Sequence, residues 1–269
     1  MKKEILLLVC LLWSCCIFSQ DAELELKAKN GECKALYELA YRYANGEKGY
    51  PKDSLKAYTL MTKAAEKGDL YAMYDLGFDF VPSTIDNFRI ISTKWLETYV
   101  QNSKDDMMCS SAELELYFRY LGDDTIKRNI TLALKYLKSS VNRGERSDPA
   151  AYSVLGECLL EGKYMEKNKE ESIKYFKLSA EYGCGLGSTN LGILYYNERK
   201  FDLAYKYLKD ACEDEFHIWE SPKAMLYYSH CYRYGLGGAP KDTEKADYWL
   251  NQSATNKERT AMELIRMNR

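Results

Sequence analysis

The stretch "YRYANGEKGYPKDSLKAY" occupies positions 41–58, and a close variant, "YRYGLGGAPKDTEKADY", occupies positions 232–248. Both copies contain Tyr-Arg-Tyr, a bend with glycine, Pro-Lys-Asp and then a Lys-Ala pair. A phrase repeated in this way has two interpretations, a shared active site or a shared building block. The residues between the two copies distinguish them.

A period of 36–40 residues runs through the chain. Small residues recur at Ala35, Ala72, Ala112, Ala151, Gly187 and Ala224. Four positions after each of them stands a large residue, namely Leu39, Leu76, Leu116, Leu155, Leu191 and Tyr228. Because a step of four keeps residues on one face of a helix, each unit is predicted to begin with a helix.

A second helix follows the first in every unit. Its small residues are Ala57, Ser92, Ala133, Ser172, Ala204 and Ala246. Three positions after each, the pattern predicts a large core side chain, at Leu60, Trp95, Tyr136, Tyr175, Tyr207 and Trp249. Glycines such as Gly46, Gly162 and Gly235 fall in the connections, where a positive φ is often required.

The sequence therefore predicts an all-α solenoid of about six antiparallel helix pairs. A single pair does not bury its apolar face alone, whereas stacked pairs share a continuous core. Residues 20–30 are predicted to form a short leading segment, and residues 257–269 a capping helix with Leu264 and Ile265 facing inward. The six pairs are predicted at 31–68, 69–104, 105–144, 145–183, 184–214 and 215–256.

The order A-x-x-x-L-G-x-x-Y, a loop ending in P-K-D, and then K-A-A-E-x-G resembles the Sel-one-like repeat, which is related to the tetratricopeptide repeat. The first unit carries it as "KALYELAYRYANGEKGYPKDSLKAYTLMTKAAEKG" and the sixth as "KAMLYYSHCYRYGLGGAPKDTEKADYWLNQSA". Units two and three depart from the pattern in their loops, and unit five has a shorter connection. The resemblance covers about residues 31–256. It implies a right-handed α-solenoid that serves as an adaptor or scaffold without catalysis.

In tetratricopeptide-like arrays the first helices line the concave face, and residues two before and two after the motif leucine point into it. The resemblance therefore implies a groove lined by Tyr37, Tyr41, Tyr74, Phe78, Leu114, Phe118, Ser153, Glu157, Thr189, Ile193, Leu226 and His230. Five of the first six are aromatic, which suits an extended peptide. The candidate binding residues are Tyr37, Tyr41, Tyr74, Phe78, Phe118, Glu157 and His230. The alternative is that the aromatic rings fill the packing between units.

The first 19 residues differ from the rest of the chain. Two lysines precede an apolar run from Ile5 to Phe18, which is shorter than the roughly 20 residues that span a bilayer. Its size and flanks are typical of a signal peptide, and cleavage after Ser19 predicts export to the periplasm, the cell envelope or the medium. The alternatives are a lipoprotein signal ending at Cys15, because "LWSC" resembles a bacterial lipobox, and an uncleaved anchor.

Charge narrows the classes of partner. The formal net charge is −2, and no basic stripe runs through the sequence, which argues against nucleic-acid binding. A lipid anchor is the one predicted route to a membrane. The predicted partner is a protein or peptide of unknown identity.

Catalytic signatures are missing from the sequence. No serine is followed by lysine three residues later, no G-x-S-x-G occurs, and "GCGLGS" at 183–188 lacks the lysine of a phosphate-binding loop. His217, His230 and Cys231 lack the spacing of a metal site. The sequence therefore predicts no enzyme, no metal and no cofactor.

Six cysteines follow the apolar segment, at Cys33, Cys109, Cys158, Cys184, Cys212 and Cys231. Export permits disulfides, and several pairings are open. Cys184 and Cys212 are the candidate bridge, because they begin and end the same helix pair and those ends should be neighbours. Cys158 and Cys231 are predicted to be small, buried core residues.

Together, these features predict an exported, non-catalytic scaffold or adaptor that binds a protein or peptide on the concave face of the solenoid. A module that binds glycan or peptidoglycan is the alternative. A weak cell-wall hydrolase is the least favoured interpretation, because no catalytic signature supports it.

Overall fold

The computed structural model describes residues 21–78, 80–122, 125–213 and 221–267, and every regular element within these ranges is a helix. The predicted signal peptide, including Cys15, lies outside the described residues, as does His217. The chain divides into two compact units. Unit 1 ends at Asn129 and unit 2 begins at Ile130.

The helices of unit 1 follow one another through short connections. They are α1 (21–29), α2 (Cys33–Asn45), α3 (Ser54–Glu66), α4 (Leu70–Phe78), α5 (Phe88–Asn102) and α6 (Asp106–Gly122). The pairs are α2 with α3 and α4 with α5. Contacts of α3 with α4 and of α5 with α6 stack each pair on the next helix.

Unit 2 contains helix pairs of the same kind, with α8 paired to α9, α10 to α11 and α12 to α13. Its last helix, α14, packs Leu264 and Ile265 against a small core formed by Leu226, Leu250 and Ala261. The elements of unit 2 are α7 (Ile130–Val141), the 3-10 turn η1 (Gly144–Arg146), α8 (Pro149–Glu161), α9 (Lys169–Glu181), α10 (Gly185–Asn197), α11 (Phe201–Glu213), α12 (Pro222–Tyr234), α13 (Thr243–Thr255) and α14 (Arg259–Met267).

In the first copy of the repeated phrase, Asp53 ends the loop and caps α3. Its backbone N–H donates to the carbonyl of Tyr43 at 2.8 Å, and its side chain accepts from the N–H of Lys56 at 2.9 Å. The Lys56 ammonium lies 4.0 Å from the centre of the Tyr43 ring, an attractive cation–π contact. The Tyr, Asp and Lys of the phrase therefore close the turn together.

The second copy forms the same turn. Asp242 donates its N–H to the carbonyl of Tyr232 and accepts from the N–H of Lys245, in both cases at 2.9 Å. The ammonium of Lys245 lies 5.3 Å from the centre of the Tyr232 ring. The repeated phrase is therefore a structural bend. The same backbone bond closes two further turns of unit 2, from Asn168 to Leu159 and from Lys200 to Tyr195, both at 2.9 Å.

Glycine ends the first helix where the phrase begins. Gly46 and Gly235 adopt φ values of 71° and 65°, and their N–H groups donate to the carbonyls of Arg42 and Cys231. A side chain is disfavoured in this left-handed region, so glycine is the residue that terminates the helix at least cost. The prediction of positive φ in these connections is confirmed.

The glycine that follows the motif leucine lets the two helices of a pair approach closely. A Cβ atom would lie 2.4 Å from Leu96 at Gly77, 2.6 Å from Phe176 at Gly156 and 2.7 Å from Leu208 at Gly192. Contacts that short are repulsive, so any side chain at these positions would push the second helix away. Glycine is therefore required by packing at these three positions.

The large core residue of each second helix lies four positions after the small residue, one later than predicted. The buried residues are Met61, Leu96, Leu137, Phe176, Leu208 and Leu250. The predicted residues are only half-buried, namely Leu60, Trp95, Tyr136, Tyr175, Tyr207 and Trp249. A step of four returns the helix to within about 40° of its starting direction, whereas a step of three leaves it about 60° away. Helical geometry outweighs the bulk of the side chain.

A buried arginine that the sequence pattern does not indicate joins three helices of unit 1. Arg119 of α6 is 3% exposed. Its guanidinium donates to the carbonyl of Gly77 at 2.7 Å and to the hydroxyls of Ser92 and Thr93 at 3.0 and 3.2 Å. Glu115 accepts from its Nε at 2.7 Å. Because a buried charge is costly unless it is hydrogen-bonded, this network fixes α4, α5 and α6 relative to one another.

The leading helix α1 occupies the place of a second helix ahead of the first complete pair. When α1 and α3 are aligned on the glycines that follow them, Leu24 corresponds to Met61 and Ala28 to Ala65. All four side chains are buried. The leading segment thus corresponds to the second helix of a repeat, and its Asp21 pairs with Arg42 of α2.

Replacing Leu191 with alanine is expected to lower the free energy of unfolding by about 2–5 kcal/mol, because this side chain is fully buried in the core of unit 2. Leu203→Ala is the matched control, since that leucine on the neighbouring helix α11 is 41% exposed and should lose less than about 1 kcal/mol. Urea unfolding of both variants measures the difference. Equal losses would contradict the placement of the motif leucine in the core.

Candidate binding surface

Two tyrosines of α2 share one carboxylate of α4. The hydroxyls of Tyr37 and Tyr41 donate to the same oxygen of Asp75, Oδ2, at 2.8 and 2.7 Å. The two tyrosines are one helical turn apart and face the same side of α2, and their ring centres are 5.0 Å apart. Asp75 therefore fixes both rings relative to α4.

Aromatic residues of α4 extend this surface. The ring of Tyr71 lies 6.4 Å from that of Tyr37, and the ring of Tyr74 lies 4.6 Å from that of Phe78. Tyr71 is 62% exposed, whereas the others are half-buried. These residues are named the aromatic face of unit 1: Tyr37, Tyr41, Tyr71, Tyr74 and Phe78.

Two hydroxyls of the aromatic face lose their protons less readily than an ordinary tyrosine does. Loss of solvent raises the pKa of Tyr37, and the neighbouring Tyr41 and Asp75 raise it further. Burial and then the hydrogen bond to Asp75 also raise the pKa of Tyr41. Both hydroxyls therefore stay donors to Asp75 in neutral solution, and what the face offers a partner is mainly ring surface.

The predicted residue Phe118 is exposed on α6. Its side chain is 48% exposed, and its ring centre lies 5.1 Å from that of the buried Tyr117. Phe118 is thus held by its own helix and presents an apolar ring to solvent. It remains a candidate contact residue.

The predicted residue Glu157 is exposed on α8, but its carboxylate already has a partner in unit 2. The side-chain amide of Asn190 on α10 donates to Glu157 Oε1 at 2.7 Å and to Ser153 Oγ at 2.9 Å. Glu157 therefore links two successive first helices. One carboxylate oxygen of this residue is used in the packing of α8 on α10.

His230 belongs to a second group of rings, in unit 2. Its ring centre lies 6.0 Å from that of Tyr196, 6.1 Å from Tyr227 and 6.2 Å from Tyr234. The Tyr196 hydroxyl is 3.4 Å from His230 Nδ1. Burial lowers the pKa of His230, and the nearby Arg233 lowers it further. The imidazole is therefore neutral at pH 7 and packs as part of an aromatic cluster.

Four positions that the repeat resemblance placed in an open groove are buried, so the prediction is wrong for them. Leu226, for example, packs into a core with Leu250 and Ala261. Ser153 accepts a hydrogen bond from Asn190 of α10, which contacts α8 directly. The buried positions are Leu114, Ser153, Thr189 and Leu226.

The predicted disulfide between Cys184 and Cys212 is not formed, and both residues are free thiols. Cys184 is buried where α10 begins, whereas Cys212 packs against the core cluster that contains Cys231 of α12. Burial raises the pKa of Cys212, with further contributions from Glu213 and Cys231. Cys212 therefore faces the next helix pair rather than the start of its own. Cys158 and Cys231 are buried as predicted.

Two exposed tyrosines were missed by the sequence analysis. Tyr71 and Tyr234 are each 62% exposed, and both fall outside the positions two residues from the motif leucine. Tyr71 lies three positions before Tyr74, and Tyr234 lies four positions after His230. Residues at those spacings share a helical face. That spacing is the signal that would have found them.

Within the described ranges, no group of three or more His, Cys, Asp or Glu side chains is arranged to hold a metal ion. The buried thiol of Cys231 has a pKa raised to about 12, whereas a metal ligand is a thiolate. In the same ranges, no helix combines the length and apolar character that crossing a membrane requires.

Stacked pairs of helices closed by the same bend define an α-solenoid repeat protein of the tetratricopeptide-like class. The Sel1 repeat model matches residues 33–69, 110–145, 149–184 and 222–257, more than half of the chain. The protein belongs to the Sel1 repeat family, which confirms the resemblance and the predicted fold class. The match leaves out the pairs α4–α5 and α10–α11, which the structure nonetheless contains.

Two solved structures share this fold. A protective antigen of uropathogenic Escherichia coli strains, displaying an SLR fold, has a TM-score of 0.71 and 21% identity over 89% of this chain and 49% of its own. A Sel1 repeat protein from Oxalobacter formigenes has a TM-score of 0.66 and 21% identity over 84% of this chain and 89% of its own. This chain therefore spans about half the length of the first relative. No curated protein sequence matches it.

Acidification is expected to destabilise unit 2 through His230. Because its pKa is lowered in the folded state, the unfolded chain binds the proton more readily. The stabilising contribution is complete above the ordinary histidine pKa of about 6.5 and is lost as the pH falls through the lower folded value. The melting temperature, measured from pH 7 to pH 5, should therefore fall less in His230→Gln than in the wild type. Parallel curves would contradict this assignment.

Proposed function

We propose that this protein is an exported, non-catalytic adaptor that binds a peptide segment of a partner protein on the aromatic face of unit 1. Sel1 repeat proteins generally serve as scaffolds for protein interaction and are generally non-catalytic. To this general role the proposal adds the aromatic face as the binding surface, a peptide as the ligand and a location outside the cytoplasm. One observation carries it, the shared acceptor Asp75, which fixes Tyr37 and Tyr41.

Fixed rings favour binding because little side-chain freedom is left to lose. Ordering a mobile side chain at an interface costs roughly 0.5–1.5 kcal/mol, and the contacts to Asp75 have already ordered two tyrosines of this face. Tyr71 stands beside them and is mostly exposed. Covering it removes apolar ring surface from water, which is typical of residues that dominate binding energy.

The chemistry of the aromatic face favours a peptide over a glycan. A sugar needs polar groups that match its hydroxyls as well as rings on which to stack. Here the hydroxyls of Tyr37 and Tyr41 already donate to Asp75. The rings are therefore better suited to apolar or aromatic side chains of a peptide.

A crosslinking experiment tests the binding face. A photo-reactive phenylalanine derivative is placed at position 71, and at position 248 as control, since Tyr248 is exposed on a second helix of unit 2. In intact cells, one protein partner should crosslink at position 71 and not at 248. In binding measured with that partner, Tyr71→Ala should weaken affinity about tenfold, as interface tyrosines do, whereas Tyr248→Ala should not.

Other outcomes contradict the proposal. Equal crosslinking at both positions would mean that the rings at position 71 are not the binding face. Crosslinking at position 71 to polysaccharide alone would replace the peptide ligand with a glycan. If Tyr71→Ala binds the partner with unchanged affinity, the rings of the aromatic face only pack the helices together.

Identifying the amino-terminal residue of the protein purified from cells tests whether it is exported. An apolar run of 14 residues behind two lysines supports it, and mass spectrometry is expected to find Gln20 at the amino terminus. A lipidated Cys15 would keep the protein in the envelope, at the membrane. Recovery of the chain from the cytoplasm with residues 1–19 attached would contradict export.

A further inference from the structure

A cavity of about 540 Å³ lies among α1, α2 and α3 of unit 1. Its floor is apolar and includes Leu36, Leu39 and Leu60. Its wall carries one acidic residue, Glu25, and four lysines. The lysines are Lys29, Lys56, Lys63 and Lys67.

The repeat architecture produces an equivalent cavity in unit 2, among α7, α8 and α9, with a volume of about 470 Å³. There Leu155 takes the place of Leu39, and Glu171 takes the place of Lys56. Two lysines and two glutamates line that cavity, so its charges balance. The cavity itself therefore comes from the fold, whereas the excess of positive charge is particular to unit 1.

The lysines of the unit 1 cavity are largely uncompensated. Among the described residues, Lys29, Lys63 and Lys67 form no ion pair, and Lys56 bonds the hydroxyl of Tyr43 at 2.5 Å. The protein as a whole carries a net charge of −2. A local cluster of cations on a slightly acidic protein attracts an anionic group to this site.

The spacing of the lysines fits a short, extended peptide. Lys56 and Lys63 lie on α3, and Lys67 directly follows its last residue. Their intervals of seven and four residues keep them near one side of the helix axis. From first to last they span roughly 16 Å at 1.5 Å per residue, which is the length of about five residues of extended chain. The apolar floor lies beside them and accepts an uncharged side chain from the same peptide.

We infer that this cavity binds an acidic peptide segment of a partner protein. Its carboxylates pair with Lys56, Lys63 and Lys67, and an apolar side chain between them rests on Leu36, Leu39 and Leu60. None of the residues of the aromatic face lines this cavity. The inference is therefore independent of the proposed function.

Fluorescence anisotropy with a labelled peptide, Glu-Leu-Asp-Leu-Glu-Asp, tests the inference on the purified mature protein. Binding should weaken as sodium chloride rises from about 50 to about 500 mM, because salt screens such pairs. Lys63→Glu combined with Lys67→Glu should weaken binding at least tenfold. Lys94→Glu combined with Lys104→Glu is the matched control, since both lysines are exposed on unit 1 outside the cavity, and it should bind normally.

Three further measurements separate the alternatives. A peptide with Gln and Asn in place of Glu and Asp should bind poorly. If it binds as tightly as the acidic peptide, carboxylates are not needed and the inference is overturned. Any binding of a single-stranded oligonucleotide or of phosphatidylglycerol vesicles should be the same in the wild type and in the variant with Lys63→Glu and Lys67→Glu. Stronger binding of either than of the peptide, with the same dependence, would replace the peptide as ligand.

Thermal unfolding of every variant serves as the control that each one is folded. Lys63→Gln with Lys67→Gln is a second variant that removes charge without reversing it, and it should weaken binding by a smaller factor. If the cavity variant and its surface control lose the same amount of peptide affinity, the binding comes from general charge attraction and the inference is overturned. Absence of peptide binding at low salt would overturn the inference.

Discussion

The close approach of the helices in three of the pairs depends on a glycine packed against a large side chain. In three pairs, the glycine after the motif leucine meets the buried side chain of the second helix, as Gly192 meets Leu208. A methyl group there would need space that Leu208 already fills, and a close-packed core does not absorb such an overlap without moving the helices apart. Two of the turns closed by the repeated hydrogen bond, from Asn168 to Leu159 and from Lys200 to Tyr195, belong to pairs packed in this way.

In unit 1, each helix packs one face into the core, and its other faces line surfaces of the protein. On α2, Leu36 and Leu39 face the cavity beside α1, whereas Tyr37 and Tyr41 reach Asp75 of α4. One helix therefore contributes to two surfaces of different chemistry, one aromatic and one basic. The half repeat at the amino terminus matters here, because α1 supplies one wall of the basic cavity.

Sequence predicted the elements that repeat and failed where a side chain meets a distant partner. Periodicity placed leucines such as Leu191 in the core, because packing imposes the same residue type in each unit. Nothing local indicates that Asp75 binds tyrosines 38 and 34 residues earlier, or that Arg119 reaches a carbonyl 42 residues away. Four residues of the aromatic face were named from their positions relative to the motif, whereas Tyr71 required knowledge of the whole α4 face. Cys212 was placed beside the wrong neighbour, because sequence gives helix ends but not their rotation.

The backbone hydrogen bond that closes the repeated turn accommodates loops of very different length. It spans ten residues from Tyr232 to Asp242 but only five from Tyr195 to Lys200, with the same 2.9 Å separation. Doubling a flexible loop adds only about 0.6 kcal/mol to the cost of closing it, a small part of the stability of a domain. Residues inserted between these two hydrogen-bonded positions would lengthen the loop while leaving the helix pairs intact. These loops are therefore the places in the chain where added length costs the fold least.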